Sequence, residues 1–152
     1  MKLKESILIN ATPEVVWEYV GSPEHWSLFH AKASDTKLVS RQGGVVGSRY
    51  EMQMSAGGRL SPSIGEIIDI QTDRLICLGS TVEPKRGEEA VGVITYELED
   101  LGSLTKVYER VQIETGHINF LWRAILWFIS QFGRPRGETS LVKLKRIVEE
   151  NA

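Results

Sequence analysis

The chain has 152 residues, 41% hydrophobic and 25% charged, which is the make-up of one folded domain over residues 1–152 and argues against disorder. Its 18 Lys and Arg against 20 Asp and Glu leave a net charge of −2, which argues against a nucleic-acid partner, since phosphate recognition needs a basic excess or stripe. One cysteine, Cys77, excludes a disulfide framework and a cysteine-based zinc site.

The N-terminus, Met1-Lys2-Leu3-Lys4-Glu5-Ser6, is charged and lacks an apolar signal core. The most apolar stretch, Ile118 to Phe132, spans 15 residues and is interrupted by Asn119, Arg123, Ser130 and Gln131. A bilayer span needs about 20 residues. A cytoplasmic protein without an integral membrane segment is expected.

Lys2 to Asn10 reads as a strand around Ile7-Leu8-Ile9. Thr12-Pro13-Glu14 reads as a helix start, with Thr12 as cap, Pro13 at the first helical position and Glu14 at the positive end. Val16, Trp17 and Val20 give this helix an apolar face, and Gly21-Ser22-Pro23 ends it. Ser22 is placed to cap a second short helix from Pro23 to about Leu28. Strand signals follow at Ala33–Arg41, Ser48–Met54, Ile64–Thr72, Leu75–Val82, Val91–Asp100 and Leu104–Glu114. Short turn-forming connections separate them and predict an antiparallel meander, because parallel crossovers need a dozen residues or more. Beyond His117 the pattern becomes helical to Phe132, is broken at Gly133-Arg134-Pro135, and resumes from Glu138 to about Glu150 with Leu141, Leu144 and Val148 on one face.

Alternation assigns faces. On the last strand Thr105, Val107, Glu109, Val111 and Ile113 point inward. Ile94, Tyr96 and Leu98 do so on the preceding strand. Tyr50, Met52 and Met54 form another inward set, and Ile64, Glu66, Ile68 and Ile70 group on one face of theirs.

A sheet with one apolar face must cover it, and the late helix is the available cover. The predicted fold is α+β: a curved antiparallel sheet wrapped around a long C-terminal helix, with two short helices after the first strand. Ile7-Leu8-Ile9-Asn10-Ala11-Thr12-Pro13-Glu14-Val15-Val16-Trp17 resembles the opening of START-related proteins of the polyketide cyclase/dehydrase (SRPBCC) group, which share a birch-pollen-allergen-like helix-grip fold. Pro23-Glu24-His25-Trp26, Val46-Gly47-Ser48-Arg49-Tyr50 and Gly102-Ser103-Leu104-Thr105-Lys106-Val107 are similar to later motifs of the same group. The resemblance covers essentially the whole chain. Its motifs are caps, core positions and turns, so it implies the fold. The group includes aromatase/cyclases, lipid and sterol carriers and hormone receptors, and fold does not choose among them.

The four Trp and four Phe all fall in helical or adjoining segments, so a sheet face of Met, Ile, Val and Tyr covered by aromatic helices can enclose an apolar ligand, or these side chains can simply fill the core. Walls are expected from Tyr50, Met52, Met54, Tyr96, Trp122 and Trp127, with Trp26 and Phe29 at one mouth. Glu109 is a carboxylate on an otherwise apolar face. Burial suits such a group to proton transfer or to holding a ligand hydroxyl; pairing with arginine or contact with water is the alternative. Glu66 is a second candidate anchor, subject to a one-residue shift of register. His25 is the candidate imidazole acid–base, or a surface histidine beside a core Trp. Arg123 either faces the cavity as a partner for an anionic head group or lies on an exposed stripe. His25 and His30 are five apart, which does not suit helical metal ligands, and no G-x-G-x-x-G or P-loop occurs; neither metal nor cofactor is expected.

The leading expectation is binding of a small hydrophobic or amphipathic ligand such as a lipid, polyketide or aromatic metabolite. The alternatives are a cyclase or dehydratase working through Glu109 or His25, and a non-catalytic homodimer or interaction module using the Trp-rich helix.

Overall fold

The computed structural model describes residues 2–30, 33–40, 42–56, 59–82, 90–115 and 140–151. Its elements are β1 (Lys2–Ile9), α1 (Pro13–Val20), a 3-10 helix (Pro23–Leu28), β2 (Ala33–Leu38), β3 (Arg49–Ala56), β4 (Arg59–Gln71), β5 (Leu75–Val82), β6 (Ala90–Asp100), β7 (Thr105–Thr115) and α2 (Ser140–Glu150). The described strands form one antiparallel sheet in the order β1-β7-β6-β5-β4-β3-β2. From β2 to β7, strands consecutive in sequence pair with each other, and β1 closes onto β7. The curved sheet, two short helices and C-terminal helix make the expected helix-grip arrangement.

Both sheet edges come from the N-terminal part of the chain. β1 and β2 lie at opposite ends of the strand order, so α1 and the 3-10 helix carry the chain from one edge to the other. Pro13 occupies the first turn of α1, where a missing N–H costs nothing. Thr12 and Ser22 hold the extended backbone of N-cap residues, but neither hydroxyl makes the capping bond that the sequence suggests. Gly102 turns β6 into β7 with φ of 91°, and its N–H donates to Asp100 Oδ1 at 2.9 Å.

The core lies on the concave face. Tyr50, Met52, Ile67, Ile76, Leu78, Ile94, Tyr96 and Val107 are buried there, as are Val16, Val20, Trp26 and Phe29 from the helical crossing. The i, i+3, i+7 spacing of Leu141, Leu144 and Val148 puts all three on the buried stripe of α2. Polar contacts tie α2 to the end of β1. Lys145 Nζ donates to the Leu8 carbonyl at 2.8 Å and to Glu149 Oε1 at 2.6 Å, and the Asn10 N–H donates to Glu149 Oε1 at 2.9 Å. The two bonds that Glu149 accepts, from Lys145 and then from Asn10, hold its carboxyl below the usual range.

β4 departs from the expected facing. Ile67 pairs with Leu78 and Asp69 with Cys77, so Ile68 is the extra residue of a β-bulge. Upstream of it Ser63 and Ile67 are buried and Ile64 is exposed; Ile68 itself is exposed, and downstream Ile70 returns to the core side. The bulge breaks the period of two, so Ile64, Glu66, Ile68 and Ile70 do not share a face. Glu66 therefore lies on the outer face, 3.7 Å from its cross-strand neighbour Arg49, and is withdrawn as a concave anchor.

Candidate functional site

The concave face of β6 and β7 carries one polar pair in an apolar, aromatic setting. Tyr96 and Glu109 are register partners, and both point inward by the alternation that buries Ile94, Leu98, Thr105 and Val107. The Tyr96 hydroxyl donates to Glu109 Oε2 at 2.6 Å, a length suited to a bond onto a carboxylate. Tyr96 is fully buried, whereas Glu109 is half-buried.

The 3-10 helix supplies the aromatic wall. Trp26 meets the Tyr96 ring edge-on with centroids 5.1 Å apart, and Phe29 does the same at 5.9 Å. Trp26 is itself fixed by its indole N–H, which donates to the Val20 carbonyl at the end of α1 at 2.8 Å. His30 stacks on Trp26 at 6.1 Å. Tyr50 and Met52 face the same side from β3 and are fully buried. The Tyr50 hydroxyl accepts the Gly44 N–H at 3.3 Å. Burial raises the Tyr50 phenol, partly offset by that hydrogen bond.

Other expected site residues fall elsewhere. His25 is exposed, and its Nδ1 donates to the Glu18 carbonyl at 2.8 Å; this directs the ring to the surface of α1 and withdraws it as an acid–base facing Tyr96. Met54 has only its backbone described, and Trp122, Arg123 and Trp127 lie outside the described residues. Glu5 is a residue that sequence reasoning passes over. It is the β1 register partner of Glu109 and shares the face of Ile7 and Ile9. The alternating set Leu3, Glu5, Ile7 and Ile9 is the available signal, obscured by the unbroken apolar run Ile7-Leu8-Ile9.

An open depression of about 580 Å³ lies away from this pair, bounded mainly by outer-face side chains such as Lys4, Arg74, Glu97, Tyr108 and Arg110. Some of its polar groups engage one another: Arg110 pairs with Glu97 at 3.1 Å, and the Tyr108 hydroxyl donates to Glu99 at 2.8 Å. Its charged, open lining is unsuited to an apolar guest. Among the described residues, no group of three His, Cys, Asp or Glu is arranged to hold a metal ion, and no helix is long and apolar enough to cross a membrane.

Burial, then the charge and hydrogen bond of Glu109, then the charge of Glu5 raise the Tyr96 phenol well above 10.0. In the unfolded chain it ionises near 10.0. A folded value above the unfolded one means that the contribution is whole below about pH 10 and is lost as pH rises from there toward the folded value. Tyr96→Phe should therefore flatten the alkaline limb of the stability profile, read by urea unfolding at a series of pH values. An alkaline loss identical to wild type would refute this assignment.

A family model described as polyketide cyclase / dehydrase and lipid transport matches residues 1–149. No curated protein matches the sequence. Among solved structures, a protein of Thermus thermophilus aligns at 16% identity over 100% of this chain and 99% of its own, with a TM-score of 0.76. The Zhui aromatase/cyclase of a Streptomyces species aligns at 9% identity over 99% of this chain and 94% of its own, with a TM-score of 0.69. A START superfamily protein from Mycobacterium smegmatis aligns at 11% identity over 99% of both chains, with a TM-score of 0.64. At these identities the likeness is one of fold.

Proposed function

Because the chain belongs to the polyketide cyclase/dehydrase and lipid transport family, we propose that it binds a small apolar or amphipathic molecule against the concave face of its sheet. The observation that carries this reading is the Tyr96–Glu109 hydrogen bond at 2.6 Å, set against the buried rings of Trp26 and Phe29. An apolar wall with a convergent polar pair binds an apolar body and fixes its orientation. Native mass spectrometry of freshly purified protein tests it, followed by Nile red uptake after solvent extraction. A stoichiometric apolar adduct, or dye uptake, is expected for the wild type and not for a folded Met52→Trp variant, whose larger side chain takes up more of the concave face at the buried Met52. A clean chain that takes up no dye would overturn the proposal; if that chain is also a dimer, the interaction-module reading takes its place.

The same hydrogen bond favours a cyclase- or dehydratase-type reaction as the second reading. A half-buried carboxylate joined to a fully buried phenol is an acid–base pair with one partner shielded from water. Turnover of a polyketide-like substrate that Glu109→Gln abolishes, with uptake retained, would select that reading over simple binding.

A further inference from the structure

Two hydroxyls on the concave side of β2 and β3 stand apart from the Tyr96–Glu109 pair. Tyr50 on β3 is the register partner of Leu38 on β2. The ladder shifts register between Ser34 and Lys37, but burial still alternates from Thr36 onward: Thr36 and Leu38 are half-buried, and Lys37 and Val39 are exposed. Thr36 therefore shares the face of Leu38 and Tyr50, two positions along β2. Its Oγ1 is buried and has no hydrogen-bond partner among the described residues. The fully buried Tyr50 hydroxyl is engaged on one side only. It accepts the Gly44 N–H at 3.3 Å, and among the described residues no acceptor takes its own proton. Buried polar groups are as a rule paired, so two incompletely used hydroxyls on one face call for a partner.

The β2–β3 loop decides what Tyr50 has to offer. Gly44, at φ of 74°, takes a left-handed conformation open to glycine, and its N–H meets the phenol oxygen. With that lone pair occupied, the O–H bond is directed away from the Gly44 N–H, and a hydroxyl that accepts one hydrogen bond is polarised into a better donor. Burial, offset in part by the Gly44 bond, and then the charge of Glu24 raise the phenol, so it keeps its proton at neutral pH. The Glu24 charge also disfavours an anionic acceptor at this hydroxyl. Tyr96 differs, because its proton is bonded to Glu109. The 3-10 helix joins the two regions: it packs against β2, while its Trp26 and Phe29 rings meet Tyr96 on β6.

We propose that the ligand carries a neutral oxygen acceptor, a ketone or ester carbonyl on an apolar body, and that the Tyr50 and Thr36 hydroxyls seat this oxygen at the β2–β3 side of the concave face. This rests on the ligand-binding reading above and adds the class of polar group and the side of the face that takes it. The apolar body then lies along the rings of Trp26 and Phe29.

Equilibrium dialysis with 2-acetylnaphthalene and 2-ethylnaphthalene, two probes of one skeleton that differ in the carbonyl, tests the proposal. Tyr50→Phe with Thr36→Val keeps both shapes and removes both hydroxyls. The ketone-to-hydrocarbon affinity ratio should fall about threefold to tenfold in that variant, the loss of a net hydrogen bond. Infrared spectroscopy of the bound ketone gives a reading that needs no variant: its carbonyl band in the wild type should lie below its position in hexane. Tyr108→Phe, whose hydroxyl bonds Glu99 on the outer face, should change neither reading. A ratio unchanged by the double substitution, or a wild-type carbonyl band at the hexane position, overturns the acceptor assignment and leaves ligand binding standing. Failure of both probes to bind overturns both.

Discussion

Trp26→Ala is expected to lower the thermal unfolding midpoint by roughly 6–20 °C, the equivalent of about 3–5 kcal/mol at ~2–4 °C per kcal/mol for a chain of this size. Trp26 is fully buried, and three contacts converge on it: its N–H on Val20, its ring on Tyr96, and His30 stacked upon it. Deleting the side chain removes its apolar transfer energy and leaves a cavity that the sheet cannot collapse to fill. Trp26→Phe separates the contributions. It keeps a ring against Tyr96 and strands the Val20 carbonyl, at a cost of about 1–3 kcal/mol. Thermal scans of both variants, with circular dichroism to confirm the fold, give the order wild type, Phe, Ala. Equal losses for Phe and Ala would mean that the hydrogen bond, and not the packing, anchors the 3-10 helix. The consequence reaches the candidate site, because Trp26 is part of the wall that Tyr96 rests against.

Leu144→Ala is the second large effect, at about 2–5 kcal/mol. Leu144 is fully buried at the centre of the α2 stripe, between Leu141 and Val148. The polar ties of the same helix have short, direct geometry, with Lys145 bonded to Leu8 at 2.8 Å and to Glu149 at 2.6 Å. They nonetheless face water, with Lys145 and Glu149 side chains 38% and 32% exposed. Ion pairs so placed contribute little, because solvent competes for both partners and two long side chains must be ordered. Lys145→Ala should therefore shift the urea midpoint much less than Leu144→Ala. A larger shift for Lys145→Ala would show that the edge of β1, and not the apolar stripe, holds the C-terminal helix in place.

Several particulars are legible in the chain alone. The β5 boundaries Leu75–Val82 and the 3-10 segment Pro23–Leu28 match the expected bounds, because turn residues and proline act within a few residues of themselves. The inward sets Ile94-Tyr96-Leu98 and Leu141-Leu144-Val148 follow from period alone and are buried. Glu109 is recognisable as an inward carboxylate because the alternation of its strand is unbroken. Glu66 is misassigned by the same rule because the bulge at Ile68 exists only through the pairing of β4 with β5. His25 is a fair candidate by chemistry, and the helix end at Glu18 turns it outward. Glu5 carries a readable alternation but no meaning until β1 closes onto β7.

Propensity, turn chemistry and hydrophobic period are local properties of a chain, and they were enough to specify the described strands and short helices, their order and the antiparallel meander, while the family was legible as a resemblance of short motifs; the expected helix Ile118–Phe132 lies outside the described residues. Which polar groups meet is not a local property. The row Glu5–Glu109–Tyr96 joins residues from β1, β7 and β6, and only strand register, fixed by burial of one face across the whole sheet, places them side by side.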